Sequence, residues 1–340
     1  MLTLEHCSVI FDCMSNLTKI YSKQNLTQTI GFIGECMVEI SGTLPAPLQL
    51  SFAGDTFNTA AYLARLLDKQ GDRVEYLTGL GTDMLSLSMR AFFESCKVGI
   101  GYIRTIENRT PGLYLIEIAK GGERSFHYWR DEAAAKFFLD DISRDDFVKE
   151  LLSFTGIYLS GISVAVLSEI GKSVLYDSLT EAKKSGLKIF FDSNYRPSLW
   201  PNRDVAQKAF ERIIPLVDIA LLTDTDITQL YNVQPGGIEP LLARFNLPEI
   251  VIKRGSEPCI IYHNGDCLGV PALKVPTAVD TTAAGDSFNA AYLAARLKGL
   301  PVKQAAQWGH QLAAQVIQHH GAIIDKSIMP ILSSANKITV

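Results

Sequence analysis

Six short apolar segments recur along the chain, and stretches with helical periodicity separate them. They are residues 30–33, 74–77, 156–159, 188–191, 219–222 and 249–252. Strands that alternate with helices build a largely parallel sheet covered by helices on both faces, so such strands are apolar throughout. Ligands of these folds bind beyond the carboxyl ends of the strands. The sequence therefore predicts an α/β fold with its site at that edge of the sheet.

Two other segments have the pattern of exposed strands. Residues 38–52 and 101–130 alternate polar and apolar side chains, as antiparallel strands with one solvent-facing side do. We interpret these segments as a small β lid. The length of 340 residues is compatible with one α/β domain carrying this insertion and equally with two domains.

The net charge limits the classes of ligand that this protein can bind, and the cysteine content indicates its redox compartment. The net charge of −4 provides no basic excess, so we expect small-molecule ligands and neither a nucleic acid nor an anionic membrane as partner. The N-terminus lacks the basic start and unbroken apolar stretch of a signal peptide. Six cysteines occur without a C-x-x-C pair and without a histidine at zinc-ligand spacing. These features predict a reduced, cytoplasmic location.

The sequence DTTAAGDSF at residues 280–288 indicates phosphoryl-transfer chemistry. From Phe288 onward apolar residues recur at helical spacing, so the preceding amides are expected at a helix N-terminus, which attracts phosphate. Small side chains let the backbone approach an anion, and Asp286 could accept the proton of a hydroxyl that attacks a phosphoryl group. The alternative is that Asp286 only caps the helix. Neither G-x-G-x-x-G nor G-x-x-x-x-G-K-[ST] is present, which argues against a Rossmann dehydrogenase.

This segment resembles the DTTGAGDxF signature of the PfkB, or ribokinase-like, sugar kinases. The resemblance implies a ribokinase-like three-layer α/β/α fold with a mostly parallel central sheet and a small β lid. It makes Asp286 the catalytic base and the amides of Ala283, Ala284 and Gly285 an anion hole for the transferring phosphoryl group. Ala283 replaces the usual glycine, which matters if this position needs a positive φ.

The resemblance also implies domain limits and sugar contacts. Kinases of this family begin near the first predicted strand, so we expect residues 1–29 to be an N-terminal appendage outside the core and residues 30–335 to be the kinase domain. Gly54, Asp55 and Asn58 match the residues that hydrogen-bond sugar hydroxyls in the family. Asp55 could instead serve only as a helix N-cap.

Two arginines favour an acidic sugar. Arg130 follows an aromatic run of the lid and Arg196 follows a buried strand, and a guanidinium matches a carboxylate through two parallel hydrogen bonds. Together with the hydroxyls of Tyr114 and Tyr128 they would suit a sugar acid, whereas the tyrosines could equally be lid packing. The segments YWRDEAAAKF, YLSGIS, DSNYRPSLW and VIKRG resemble the branch of the family that phosphorylates 2-keto-3-deoxygluconate.

The resemblance further implies ATP and Mg²⁺ as cofactors. It places Asn194, Arg196, Lys253, Gly255 and Gly285 beside the nucleotide, although Arg196 could face either substrate. Mg²⁺ is expected because the charge of a triphosphate must be neutralised during transfer. The sequence assigns no protein ligand to the metal.

We therefore expect an ATP-dependent kinase that transfers phosphate in line to 2-keto-3-deoxygluconate. A kinase of a neutral sugar such as fructose stays open as an alternative. So does a sugar-binding regulator that has the same fold without catalysis. A homo-oligomer formed through the lid also stays open.

Overall fold

The structure is a computed structural model, and it describes residues 27–42, 47–67, 71–118, 124–234 and 238–333. Residues 1–26 of the expected appendage lie outside the described residues, as do residues 334 and 335 of the expected kinase domain. Within the described ranges, no helix combines the length and the apolar character needed to cross a membrane.

The described residues form two sheets. The strands are β1 (Thr29–Ile33), β2 (Met37–Ser41), β3 (Gln49–Ala53), β4 (Arg73–Leu80), β5 (Ile103–Thr105), β6 (Leu113–Ile118), β7 (Arg124–Trp129), β8 (Gly156–Ser160), β9 (Lys188–Asp192), β10 (Ile219–Thr223), β11 (Glu249–Lys253), β12 (Cys259–His263) and β13 (Asp266–Val270). The larger sheet has the order β5-β4-β1-β8-β9-β10-β11-β12-β13, and the smaller has the order β3-β2-β6-β7. All neighbours from β5 to β11 are parallel, whereas β12 and β13 pair antiparallel.

The helices connect these strands. They are α1 (Asp55–Leu66), α2 (Met84–Ser95), α3 (Arg144–Leu151), α4 (Gly161–Val166), α5 (Glu169–Lys184), α6 (Arg203–Ile213), α7 (Asp224–Tyr231), α8 (Ile238–Phe245), α9 (Ala284–Leu297) and α10 (Val302–Val316). Short 3₁₀ turns lie at Ala134–Phe137, Pro197–Leu199, Ile214–Leu216 and Lys326–Ile328.

Successive residues of each central strand pack into different cores. In β1, Phe32 faces the core that contains α1, α2, α9 and α10, whereas Ile33 faces the core of α3, α5, α6 and α8. Tyr158 and Leu159 of β8 divide in the same way. Because side chains of a strand alternate between faces, a strand buried on both sides needs apolar residues at every position. This confirms the three-layer α/β/α architecture and the six predicted strands, which are β1, β4, β8, β9, β10 and β11.

The smaller sheet contains parts of both predicted lid segments. Its strands β2 and β3 pair antiparallel, as do β6 and β7, but β2 and β6 are parallel neighbours, which the alternating pattern did not predict. Strand β5 lies within the second predicted segment, yet it pairs with β4 at the edge of the large sheet. The prediction that residues 101–130 belong to the lid is therefore correct only for the segments that form β6 and β7. Leu50 and Trp129 are exposed hydrophobic residues of the lid, and an oligomer through this surface stays a prediction.

The sheet begins before residue 30. Thr29 is the first residue of β1 and pairs with Arg73. The amide of Gln28 donates to Asp72 Oδ1 over 2.7 Å, and its carbonyl accepts from the amide of Arg73 over 2.7 Å. Thr29, the last residue of the expected appendage, therefore belongs to the core sheet.

These contacts set the position of a truncation test. We expect removal of residues 1–26 to leave turnover intact and to change the melting temperature by less than about 2 °C, because the contacts of Gln28 and Thr29 remain. Removal of residues 1–29 takes away these pairings and should lower the melting temperature clearly more. Thermal unfolding of both proteins provides the comparison, and a large loss already on removal of residues 1–26 would contradict the appendage.

Candidate active site

A cleft of about 570 Å³ lies at the carboxyl ends of the central strands and reaches the lid. All but one of the residues that the sequence predicted for the site line this cleft. They are Gly54, Asp55, Asn58, Tyr114, Tyr128, Asn194, Arg196, Lys253, Gly255, Ala283, Ala284, Gly285 and Asp286. The exception is Arg130.

The N-terminus of α9 forms one wall of the cleft. Ala283 is the N-cap residue, and its φ of 59° is in the left-handed region that favours glycine. Ala284, Gly285 and Asp286 follow as the first three helical residues, whose amides have no partner within a helix. The amide of Ala284 donates to the carbonyl of Thr281 over 3.2 Å. Asp286 therefore lies in the first turn of the helix and is not its cap.

A hydrogen bond from α1 orients Asp286. The Asn58 side-chain amide donates to Asp286 Oδ2 over 2.8 Å. The pKa of Asp286 is raised to about 8, mainly by desolvation and then by the negative charges of Asp55 and Asp192, while the Asn58 hydrogen bond and the charge of Lys253 act in the opposite direction. A carboxylate with such a pKa can accept a proton near neutral pH.

Asp55 begins α1 and faces the same cleft. Its Oδ2 accepts a hydrogen bond of 2.8 Å from the side-chain amide of Asn194. The backbone of Asn194 has a positive φ of 27°. Burial raises the pKa of Asp55, and repulsion from Asp192 adds to this effect. Gly54 is the N-cap, so Asp55 is not the cap. A Cβ at Gly54 would approach the carbonyl oxygen of Glu35 to 2.3 Å, so only glycine fits at this close backbone contact.

Lys253 ends β11 and lies beside the N-terminus of α9. Its Nζ donates to Asp192 Oδ1 over 3.0 Å, and a Cβ placed on Gly285 would be 3.6 Å from this Nζ. Gly255 follows with a φ of 60°, a conformation that glycine adopts without strain. An ammonium group and the positive end of a helix thus face the same part of the cleft.

Two aspartates in the cleft were missed by the sequence reasoning. Asp192 is the last residue of β9, and Asp226 lies three residues beyond the end of β10. Asp226 Oδ2 accepts hydrogen bonds from Ser193 Oγ over 2.8 Å and from the amide of Tyr195 over 3.2 Å. Its Oδ1 is 3.7 Å from Arg196 Nη1. Their position after parallel strands was the available signal.

The donor set suits magnesium bound together with a nucleotide. Among the residues that the structure describes, no cluster of three or more histidine, cysteine or acidic side chains is arranged to hold a metal. Mg²⁺ in kinases commonly uses one or two protein carboxylates and completes its shell with phosphates and water. The carboxylate of Asp226 and the side-chain oxygen of Asn194, both in the cleft, fit this requirement.

Arg130 does not line the cleft, and its predicted contact with the sugar acid stays a prediction. Its guanidinium forms a buried ion pair with Glu35, the second residue after β1. Burial raises the pKa of Glu35, whereas the charge of Arg130 lowers it. The lid tyrosines do reach the cleft: Tyr128 is half exposed there, and the Tyr114 hydroxyl donates to Glu39 within the lid. Sequence reasoning could not foresee the competition of Glu35 for Arg130.

Comparison with known proteins defines the class. The family model of pfkB family carbohydrate kinases matches residues 28–329, and the chain belongs to this family of kinases. The 2-dehydro-3-deoxygluconokinase of Escherichia coli K12 is 43% identical over 311 residues, which cover 90% of this chain and 100% of that protein. The protein of the same name from Dickeya dadantii is 42% identical over 310 residues, which cover 89% of this chain and 99% of that protein.

Solved structures show the same fold. The 2-dehydro-3-deoxygluconokinase of Thermotoga maritima has a TM-score of 0.75 at 22% identity, covering 88% of this chain and 96% of that chain. A putative ribokinase II of Escherichia coli in complex with ATP and Mg²⁺ has a TM-score of 0.74 at 21% identity, covering 88% and 95%. At these identities the comparison concerns the fold alone.

The left-handed conformation of Ala283 leads to a stability prediction. We expect Ala283→Gly to raise the free energy of unfolding by about 1 kcal/mol, because an L-residue with a side chain is disfavoured at this φ. The matched variant Ala284→Gly, one residue later inside the helix, should lower it by up to about 1 kcal/mol. Denaturant unfolding measures both values, and a destabilised Ala283→Gly protein would contradict the strain.

Proposed function

We propose that this kinase transfers the terminal phosphate of ATP to 2-keto-3-deoxygluconate (2-dehydro-3-deoxygluconate) and forms the 6-phospho sugar acid. The observation that carries the proposal is the position of Asp286, a carboxylate in the first turn of α9 inside the cleft, with a hydrogen bond from Asn58. The names of the relatives that match nearly the whole chain support the substrate.

In the proposed mechanism Asp286 accepts the proton of the sugar hydroxyl as that oxygen attacks the phosphoryl group in line. Phosphoryl transfer depends mainly on positioning and on stabilisation of charge. The hydrogen bond from Asn58 fixes the direction of the carboxylate, and its raised pKa suits a base that works near neutral pH. Asp55 and Asn58 would hold the hydroxyl groups of the sugar.

The other half of the cleft would hold ATP. The amides at Ala283, Ala284 and Gly285 and the positive end of α9 would receive the transferring phosphate, and the Lys253 ammonium beside Gly285 adds a positive charge. Asn194 and Asp226 would hold Mg²⁺, which neutralises phosphate charge when bound. Gly255 would let the backbone after β11 approach the nucleotide.

An acidic sugar needs a cationic partner, and we assign this role first to Arg196. Its side chain is about half exposed and lines the cleft, so it can reach a carboxylate there. Tyr128 lies in the same cleft and could contribute its hydroxyl. Arg130 could contact the carboxylate of the substrate only if its guanidinium left its ion pair with Glu35.

Replacement of the base tests the mechanism. We expect Asp286→Asn to lower kcat by at least about a hundredfold, the usual scale for a general base, because an amide of nearly the same volume cannot accept the proton. Affinity for ATP and for the sugar acid should change little. Near-normal kcat in the folded variant would remove Asp286 from the mechanism.

The stability of the same variant should depend on pH in a defined direction. Because the folded protein raises the pKa of Asp286 from 3.8 to about 8, Asp286 makes the folded wild type less stable as pH increases across this interval. Asp286→Asn lacks this loss. The variant should therefore gain stability relative to the wild type from pH 5 to pH 8 in thermal unfolding, and this gain also shows that it is folded.

Specificity for the acid tests the role of Arg196. We expect Arg196→Leu to lower kcat/KM by about tenfold to a hundredfold with the sugar acid, the scale of a hydrogen bond to a charged group, and by much less with a neutral hexose. Arg196→Lys retains the charge and should lose less. Equal losses with both sugars would show that Arg196 does not contact the acid.

The variant Arg130→Leu tests whether Arg130 contacts the substrate or only stabilises the lid. A loss confined to the sugar acid in Arg130→Leu would mean that its guanidinium leaves Glu35 for the substrate. A loss of stability with no change in sugar preference would mean that it only joins the lid to the core.

A further inference from the structure

A buried hydrogen-bond network lies directly behind Lys253. The carboxylate of Asp192 is at its centre, and the whole residue is only 3% exposed. Its Oδ1 contacts the Lys253 ammonium over 3.0 Å. Its Oδ2 accepts a hydrogen bond of 2.9 Å from the side-chain amide of Asn289, which also donates to the Tyr158 hydroxyl over 2.9 Å.

Asn289 connects this network to the helix that carries Asp286. It lies on α9, three residues after Asp286, and is completely buried. Its side-chain oxygen has no hydrogen-bond partner within the described part of the chain. A buried amide that leaves its own acceptor unsatisfied is costly, so the orientation of Asn289 is determined by what its NH₂ group binds.

Asp192 can hold Lys253 in place only while its own orientation is fixed. The Lys253 side chain is 11% exposed, and its Nζ lies near Gly285 at the N-terminus of α9. A flexible lysine side chain gains no such position by itself. The Asn289 hydrogen bond turns Oδ1 of Asp192 toward the ammonium, whereas the Tyr158 hydroxyl is 3.5 Å from Oδ2 and is a weaker second donor.

We propose that Asn289 is a positioning residue that acts through Asp192 to hold the Lys253 ammonium beside the N-terminus of α9, where phosphate would bind. This inference rests on the phosphate-binding role proposed for Lys253. Asn289 itself does not line the cleft, whereas Asp192, to which it donates a hydrogen bond, does.

The first experiment compares two buried donors on the same helix. We expect Asn289→Leu to lower ATP affinity, measured by calorimetry, and kcat by about tenfold, the loss expected for one hydrogen bond to a charged group, with the sugar KM unchanged. Tyr292→Phe is the matched control, because its hydroxyl donates over 2.8 Å to Glu249, a buried carboxylate outside the cleft lining. It should retain both values. An Asn289→Leu protein with normal ATP affinity and kcat would overturn the proposal.

A double-mutant cycle tests the route through Lys253. Lys253→Met should weaken ATP binding, and adding Asn289→Leu to it should cause little further loss, because the residue being positioned is absent. Independent, additive losses would overturn the proposal and leave the function of Lys253 intact. Normal ATP affinity and kcat in Lys253→Met would instead refute its proposed phosphate role, together with the inference that rests on it.

Asn289→Ala provides a second test that stays informative if Asn289→Leu does not fold. It removes the donor to Asp192 without placing a larger apolar side chain in the network. We expect ATP affinity and kcat to fall about as far as in Asn289→Leu, while the sugar KM stays at the wild-type value, a split that a general loss of structure would not produce. Normal ATP affinity and kcat, or equal losses of ATP and sugar affinity, would overturn the proposal.

Discussion

Three of the aspartates that line the cleft each accept a hydrogen bond from an asparagine on a different element. Asn58 donates to Asp286, Asn194 to Asp55 and Asn289 to Asp192. Carboxylates gathered in a poorly solvated cleft repel one another and tend to bind protons, and hydrogen-bond donors hold their directions. The raised pKa of Asp286 and Asp55 shows that these donors only partly offset the effects of burial and charge.

These contacts also explain why the site needs the complete fold. Asn58 and Asp286 are 228 residues apart in sequence, and Asn194 and Asp55 are 139 apart. The parallel sheet places the ends of β9, β10 and β11 along one edge, and α1 and α9 pack together on one face of it. The resulting rigid frame fixes side chains whose positions matter for phosphoryl transfer, where geometry contributes much of the rate.

The lid is joined to this frame by charge as well as by its chain connections. Arg130 at the end of β7 forms its ion pair with Glu35, which follows the first core strand. One Glu35 oxygen and Arg130 Nε are buried and have no hydrogen-bond partner in the described ranges. Removing either partner would leave a buried charge uncompensated, which is strongly destabilising. Arg130 therefore contributes to attachment of the lid independently of any contact with the substrate.

The sequence by itself determined the layers of the fold and most of the cleft lining. Strands apolar at every position can only be buried on both faces, and a motif of small residues before an apolar periodic run indicates a helix N-terminus locally. It did not show the antiparallel edge strands β12 and β13, the pairing of β5 with β4, or the parallel contact between β2 and β6. Those depend on which segments become neighbours in space, and so does the choice of Arg130 between Glu35 and the cleft. Local pattern cannot decide these contacts, because charge pairs and sheet edges are formed between residues far apart in the chain.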